Sequence, residues 1–388
     1  VYAADLDGDG DMDVLSASSR DDKIAWYENT DGTGSFSSEK VITTNADDAR
    51  SVYAVDLDGD GDKDVLSASS GDNKIAWYEN LDSGGVSTTP NVITTNAAGV
   101  SVYAADLDGD GDSDVLSGFV GKIAWYENTD GNGSFSSEKV ITTNADDARS
   151  VYAVDLDGDG DKDVLSALYN GDKIAWYENT DGTGSFSSEK VITTSANGAE
   201  SVYSADLDND GDMDVLSASG FDDKIAWYEN TDGNGSFSGQ NVITTNADFA
   251  TSVYTADLDN DGDKDVLSAS GGDSKIAWYE NTDSVLPVEL ASFQARTGES
   301  GVRLNWQTAS ETNNAGFYIQ RQGASQEEWT RLGFVEGAGT TSEPQSYTFT
   351  AEDVSVGTHR FRLRQVDTDG TESFSEPVEV SVTLDEAY

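Results

Sequence analysis

The sequence predicts an all-β fold: a β-propeller with six blades in this chain, followed by a smaller β-sandwich. Three observations predict it. A unit recurs six times at spacings of 49 to 51 residues, its first Asp falling at Asp5, Asp56, Asp106, Asp155, Asp206 and Asp257. Each unit carries short runs rich in Val, Ile, Tyr or Trp, bounded by Gly, Asp, Asn or Ser. Helix signals are nearly absent. A fixed period of this size marks a repeat architecture, and four strands per period match a propeller blade. A linear β-solenoid is the competing architecture. Its coils usually have shorter periods and leave two ends that need caps, and no cap sequence is visible before the first copy.

In the first unit the predicted strands are Val1–Leu6, Val14–Ser18, Lys23–Asn29 and Lys40–Thr44. The second reads VLSAS, whose small Ser and Ala let neighbouring sheets approach. The third reads KIAWYEN. Strand alternation puts Ile24 and Trp26 on one face and Ala25 and Tyr27 on the other. Both faces are apolar, as a sheet stacked between two others requires. The recurring Trp26, Trp77, Trp125, Trp176, Trp227 and Trp278 are therefore expected in the core between blades rather than on a sugar. The first three strands occur six times, but the VITT strand occurs only five times. The last blade is expected to lack its outer strand. Residues upstream of Val1 could supply that strand, or a whole blade could be missing, so the intact protein is expected to have six blades or seven. Val1 lies inside a repeat, which suggests a processed or truncated start.

The chain has 22 Lys plus Arg against 74 Asp plus Glu, a formal charge of -52. Such a field repels nucleic acid and anionic membranes and attracts cations. There is no Cys, so disulfides and thiolate metal sites are excluded. No apolar run approaches the roughly 18 residues of a membrane span.

Much of the acid is concentrated in one stretch per unit. In the first copy DLDGDGDMD places Asp5, Asp7, Asp9, Asp11 and Asp13 at alternate positions. The same pattern gives Asp56, Asp58, Asp60, Asp62 and Asp64, then Asp106, Asp108, Asp110, Asp112 and Asp114. It recurs at Asp155, Asp157, Asp159, Asp161 and Asp163, and at Asp206, Asp208, Asp210, Asp212 and Asp214. The sixth copy supplies Asp257, Asp259, Asp261, Asp263 and Asp265. Two carboxylates ~4 Å apart repel by ~4 kcal/mol at an effective dielectric near 20, so such a stretch asks for a cation. The spacing resembles the first nine positions of an EF-hand loop, with side chains at positions 1, 3 and 5, a carbonyl at 7 and a turn glycine at 6. The fourth position is Gly8, Gly59, Gly109, Gly158, Asn209 or Asn260, residue types that accept positive φ. Two departures stand out. The twelfth position is Ser16 and not Glu, so the ninth-position Asp must close the site, and the flanks are strands. All-oxygen donors of high charge favour Ca²⁺, about one per blade.

DLDGDGDMDVLSAS followed by KIAWYEN resembles the FG-GAP/VCBS repeat of bacterial secreted proteins, related to the integrin α-subunit propeller. The resemblance covers residues 1–284. It implies a propeller with structural calcium in the loop joining strands 1 and 2 of each blade. The first-copy ligands would be Asp5, Asp7, Asp9, the Asp11 carbonyl and Asp13.

Antiparallel order puts the calcium loops and the 3–4 loops on one face and the 2–3 and 4–1 loops on the other. The copies diverge on the second face, where Phe119, Tyr169, Phe221 and Phe249 are unique additions. Variable loops on a rigid scaffold commonly carry binding, and these four aromatics are the candidate ligand face.

Residues 285–388 read as the second domain. Seven short segments (VELASFQAR, VRLNWQT, GFYIQRQ, WTRLGFV, QSYTFT, HRFRLRQVD and PVEVSVTL) argue an immunoglobulin-like sandwich. Trp306 and Phe361 are expected in its core, and His359, the only His, is expected to be structural. The segment from Leu286 to Arg321 resembles the fibronectin type III-like domain found ahead of the sorting signal in proteins exported by the type IX system of Bacteroidetes-like bacteria. That resemblance implies a secreted or surface-attached bacterial protein whose sorting domain has been removed or left out.

No HExxH, GxSxG or phosphate loop is present, so no enzyme chemistry is expected, although a glycosidase-like carboxylate pair leaves no sequence signature. Three functions remain in order: a module binding glycan or surface protein, a self-assembling subunit of an extracellular fibre or sheath joined to other copies of itself, and a secreted hydrolase.

Overall fold

The computed structural model describes all residues except 82–84, 98, 261, 282–287, 299–300, 324–328, 342–343, 353, 368–371, 376 and 383–388. The chain divides into two compact units, Val1–Asn281 and Thr282–Tyr388. The boundary expected between 284 and 285 lies outside the described residues.

The first unit is a β-propeller of six blades. Blade 1 consists of Tyr2–Ala4, Asp13–Ser18, Lys23–Tyr27 and Lys40–Thr43, paired antiparallel in chain order. Four further blades repeat this order, and blade 6 has three strands: Ala250–Ala256, Asp265–Ser270 and Lys275–Tyr279. The expected loss of its outer strand is observed among the described residues.

The blades stack because each sheet is apolar on both sides. Leu15, Ile24 and Trp26 of blade 1 pack against Val52, Ala54, Val65 and Tyr78 of blade 2. The same pair of faces meets at the later junctions. Burying one such Leu or Ile side chain stabilises by about 1.5–3 kcal/mol, so the junctions dominate the energetics of the ring.

Polar contacts fix the register between blades. Asn80, Asn128, Asn179, Asn230 and Asn281 each donate through Nδ2, at 2.7–2.9 Å, to a leucine carbonyl of the preceding blade. The acceptors are Leu6, Leu57, Leu107, Leu156 and Leu207. Along the inner strands, Tyr2, Tyr53, Tyr103, Tyr152, Tyr203 and Tyr254 form a continuous ladder with ring centroids 4.5–5.0 Å apart.

The tryptophan expectation holds for Trp26, Trp77, Trp125 and Trp176, which are buried between blades. It fails at Trp278, which is 49% exposed. Among the described residues no further blade packs on this face of blade 6. Elsewhere a glycine from the next blade's 3–4 loop closes over the ring: a Cβ on Gly133, Gly184 or Gly235 would overlap Trp77, Trp125 or Trp176.

The second unit is also all-β. The segments VRLNWQT and GFYIQRQ, expected as two strands, form one strand, Gly301–Gln322, and a short strand Glu372–Phe374 is added. The reason is that the long strand serves two sets of partners. Its first half lies between Val288–Gly298 and Gln345–Ala351, and its second half between Thr330–Thr341 and Gly357–Asp367. At the crossing, buried Glu311 accepts hydrogen bonds from Thr308 Oγ1, Asn314 Nδ2, the Ala338 amide and Tyr347 Oη at 2.6–2.9 Å. The carboxylate of Glu311 is thus satisfied within the unit. Trp306 and Phe361 are core, and His359 is buried with Nε2 2.8 Å from the Ser355 carbonyl.

The glycine–tryptophan junction gives a direct test. Gly184→Ala should destabilise the first unit by about 1–3 kcal/mol more than Gly34→Ala, because both have positive φ but only Gly184 lies against an indole. Equal losses in thermal melts of the two variants would remove the packing argument.

Candidate functional site

The Asp-rich stretch leaves the first strand of each blade and turns back into the second. Gly8 and Gly10 have φ of 74° and 96°, and Asn209 and Asn260 at the fourth position have φ of 61° and 62°. The expected left-handed turn is present at both glycine and asparagine copies. Asp5 organises it: Oδ1 accepts the Gly8 amide at 2.8 Å and Oδ2 the Gly10 amide at 3.0 Å. Asp9 Oδ1 accepts the Asp11 amide at 2.9 Å. Asp13 is fully buried; its Oδ2 accepts from the Leu6 amide at 2.9 Å and its Oδ1 from the Asn29 amide at 2.8 Å. The ninth-position Asp therefore ties the loop to the end of the third strand.

These bonds draw carboxylates together. Asp5, Asp7 and Asp13 each place an oxygen within 4.8 Å of the others, as do Asp56, Asp58 and Asp64; Asp106, Asp108 and Asp114; and Asp155, Asp157 and Asp163. In blade 5 the triplet is Asp206, Asp208 and Asp210. The seventh-position side chains, Asp11, Asp112, Asp161 and Asp212, lie instead against Gly32, Gly131, Gly182 and Gly233 of the 3–4 loops. Only a backbone carbonyl is left for that position to offer. In the sixth copy Asp261 lies outside the described residues.

Two signs show that the triplets suit a cation. Buried Oδ1 atoms of Asp7, Asp108, Asp157, Asp206 and Asp257 have no hydrogen-bond partner. Burial also raises the carboxyl pKa of Asp64, Asp114, Asp163 and Asp214 to about 7, against the pull of two backbone amides on each. Asp208 is raised to about 6 by burial and then by Asp210. A hard divalent ion meets both needs: it supplies the missing partner and the missing charge, through oxygen donors alone. Asp5, Asp7, Asp9, the Asp11 carbonyl and Asp13 are the groups that would hold it in blade 1.

On the opposite face, three of the four nominated aromatics come together. Tyr169 and Phe221 are 5.1 Å apart between centroids, and Phe221 and Phe249 are 6.3 Å apart. They form a strip across the loops of blades 4, 5 and 6. Phe221 is 58% exposed and rests over Gly198, where a Cβ would press into its ring. Phe119 is a correction. It is only 3% exposed and packs in the junction of blades 2 and 3, because it ends a strand whose neighbours are core. The sequence reading missed Arg149, whose guanidinium stacks 3.7 Å from the Tyr169 ring centroid and is held by Asp147 and Glu200. Its only sequence signal was an arginine in an acidic 4–1 loop. A central cavity of about 580 Å³ along the tyrosine ladder, with Lys162 and Lys264 on its wall, was also not foreseen.

The FG-GAP-like repeat family matches residues 5–67, 56–117, 114–166, 155–217 and 206–268. The chain belongs to the FG-GAP-like repeat proteins. The matches are five where the Asp stretches are six, because most run from one Asp stretch into the next. No curated protein matches the chain. Among solved structures, one similar chain is described as the extracellular domain of a one-component system from B. thetaiotaomicron, at 11% identity and a TM-score of 0.44. The match covers 98% of this chain and 49% of that one, so this protein spans about half its length. Another is a functionally unknown protein from Desulfotomaculum acetoxidans, at 9% identity and TM-score 0.45, covering 92% of this chain and 93% of that one. Neither likeness bears on fold or function at these values.

The raised carboxyl pKa values predict an unusual pH response without metal. A carboxyl whose folded pKa lies above its unfolded value of about 3.9 contributes stability that is complete below that value and lost as pH rises through about 7. In EGTA the melting temperature should therefore be higher at pH 5 than at pH 8. Calcium at 100 times its Kd should add about 2.7 kcal/mol per site at pH 8 and less at pH 5, where protons compete. Melting curves that ignore both EGTA and pH would sink the cation reading.

Proposed function

We propose that this protein is a secreted or cell-surface bacterial module that binds glycan through the loop face of a calcium-stabilised propeller. The observation that carries the reading is the Tyr169–Phe221–Phe249 strip, flanked by Arg149. Pre-positioned aromatic rings, Phe221 exposed and Tyr169 and Phe249 half-buried, offer flat apolar surface at small entropic cost, and a neighbouring guanidinium and carboxylates supply hydrogen bonds. The strands and Asp stretches recur closely from copy to copy, and the aromatics of the strip are additions to that common frame. Calcium in the Asp triplets acts structurally here, holding the opposite face of each blade. The second unit is read as a fibronectin type III-like domain of a type IX-exported protein. The reading is of a non-catalytic module. Among the described residues no helix is long and apolar enough to cross a membrane.

A second reading, a self-assembling extracellular subunit, draws on the uncovered strand Lys275–Tyr279 of blade 6, since an open edge accepts a strand from another chain.

Labelled protein on a glycan array in calcium should bind a defined set of carbohydrates. Phe221→Ala should weaken that binding about tenfold or more and leave the melting temperature unchanged, since the ring is mostly in solvent. Binding unaffected by Phe221→Ala would move the site elsewhere. Ordered polymers by negative-stain electron microscopy, with no glycan bound, would favour the subunit reading.

A further inference from the structure

In a chain this acidic most basic side chains have a carboxylate beside them. Among the described residues, every Lys and Arg of the first unit makes a salt bridge except Arg20, Lys63, Lys162 and Lys264. Three of these exceptions share one place in the repeat, the eighth position of the Asp stretch. That position reads Met12, Lys63, Ser113, Lys162, Met213 and Lys264 along the chain. The loop closes equally around Met or Ser, so its fold does not require the ammonium groups.

Two of the three lysines face a cavity. Lys162 of blade 4 and Lys264 of blade 6 lie on the wall of the cavity of about 580 Å³ along the tyrosine ladder, together with Met213 from the intervening blade 5. Tyr103, Tyr152, Tyr203 and Tyr254 form another part of that wall. Burial, followed by the neighbouring phenols, holds the Tyr103 and Tyr203 hydroxyls well above their usual range, so both remain O–H donors. Among the described residues Asp206 is the one acid on the wall, and its Oδ2 already accepts the Gly211 amide at 3.1 Å. The wall thus combines two cations without counter-charge, phenol donors and an apolar patch, in a volume that suits a small molecule. The net charge of the chain does not forbid an anion there, because at physiological salt charges farther than about 8 Å are screened.

We propose that this cavity binds a small dicarboxylate, with one carboxylate at Lys162, the other at Lys264, and the carbon body over Met213 and the tyrosine rings. The placement of the charges selects the class. A compact anion such as phosphate suits clustered cations or a nest of backbone amides. Here two single charges stand on blades 4 and 6, and the blade between them offers an apolar residue. Two separated acidic groups on an apolar body match that pattern. The inference stands apart from the glycan reading, whose aromatic strip lies on the opposite face of the propeller.

The test is isothermal titration calorimetry of the whole chain in calcium, with succinate, adipate and isophthalate as probes, each beside its uncharged diamide. At least one dicarboxylate should bind at a single site per chain, and its diamide about tenfold more weakly or not at all. Lys162→Met and Lys264→Met install the residue that blades 1 and 5 carry at this position. Each should weaken dicarboxylate binding about tenfold or more and leave the melting temperature unchanged. Lys63→Met should bind as the parent does, because Lys63 shares the repeat position but not the wall. Tyr203→Phe, which removes one donor, should weaken binding severalfold. Failure of all three dicarboxylates to bind would overturn the proposal. Equal binding of the diamides would overturn it too, by making the cavity an apolar pocket. An equal loss in Lys63→Met would do the same, by reducing the effect to general charge.

Discussion

The first unit depends on one constraint: no blade can bury its own apolar surface. A four-stranded sheet with Ile and Trp on one face and Val and Tyr on the other needs a neighbour on each side. The ring is the arrangement in which every sheet finds both. Everything else in the unit is arranged around these junctions. The asparagine-to-leucine hydrogen bonds set their register, the loop glycines let the next blade cover each indole, and the tyrosine ladder keeps the inner strands at one repeat distance. Where the constraint is unmet, at Ile276 and Trp278, large apolar side chains stand in solvent.

The acidic stretches are the cost of turning the chain sharply at the edge of each blade while offering a cation a site. Their carboxylates serve twice. Asp5 and Asp13 accept backbone amides and so shape the loop, and their remaining lone pairs face Asp7. Burial of the ninth-position Asp raises its pKa in several copies, so the same oxygens that hold a metal would otherwise hold protons. The fold and the charge are therefore coupled through each loop, on the face opposite the aromatic strip.

That separation gives the two faces different freedom to vary. The Asp positions of the first face are repeated in all six copies, and several of their carboxylates accept backbone amides. The other face carries short loops with few such duties, and there Tyr169, Phe221 and Phe249 have been added to a common frame. Gly198 shows the local fit: at φ of 65° it leaves room for the Phe221 ring above it.

The sequence by itself determined the repeat, the strand order within each blade, the missing outer strand of blade 6 and the Asp positions that gather. All of these follow from local chemistry: strand alternation, turn residues and like charges at fixed spacing. Tertiary structure alone decided which copies of an identical motif are buried. Trp278 and Trp176 sit in the same KIAWYEN, and only the presence of a following blade separates them. Phe119 and Phe221 were equivalent additions on paper. One is core because it ends a strand facing a neighbour, and the other is exposed because it lies past the strand end. The long strand Gly301–Gln322 was hidden for the same reason: Glu311 in its polar middle is satisfied by Tyr347 and the Ala338 amide, partners distant in sequence. Burial depends on what lies across a contact, and that is information a single repeat does not carry.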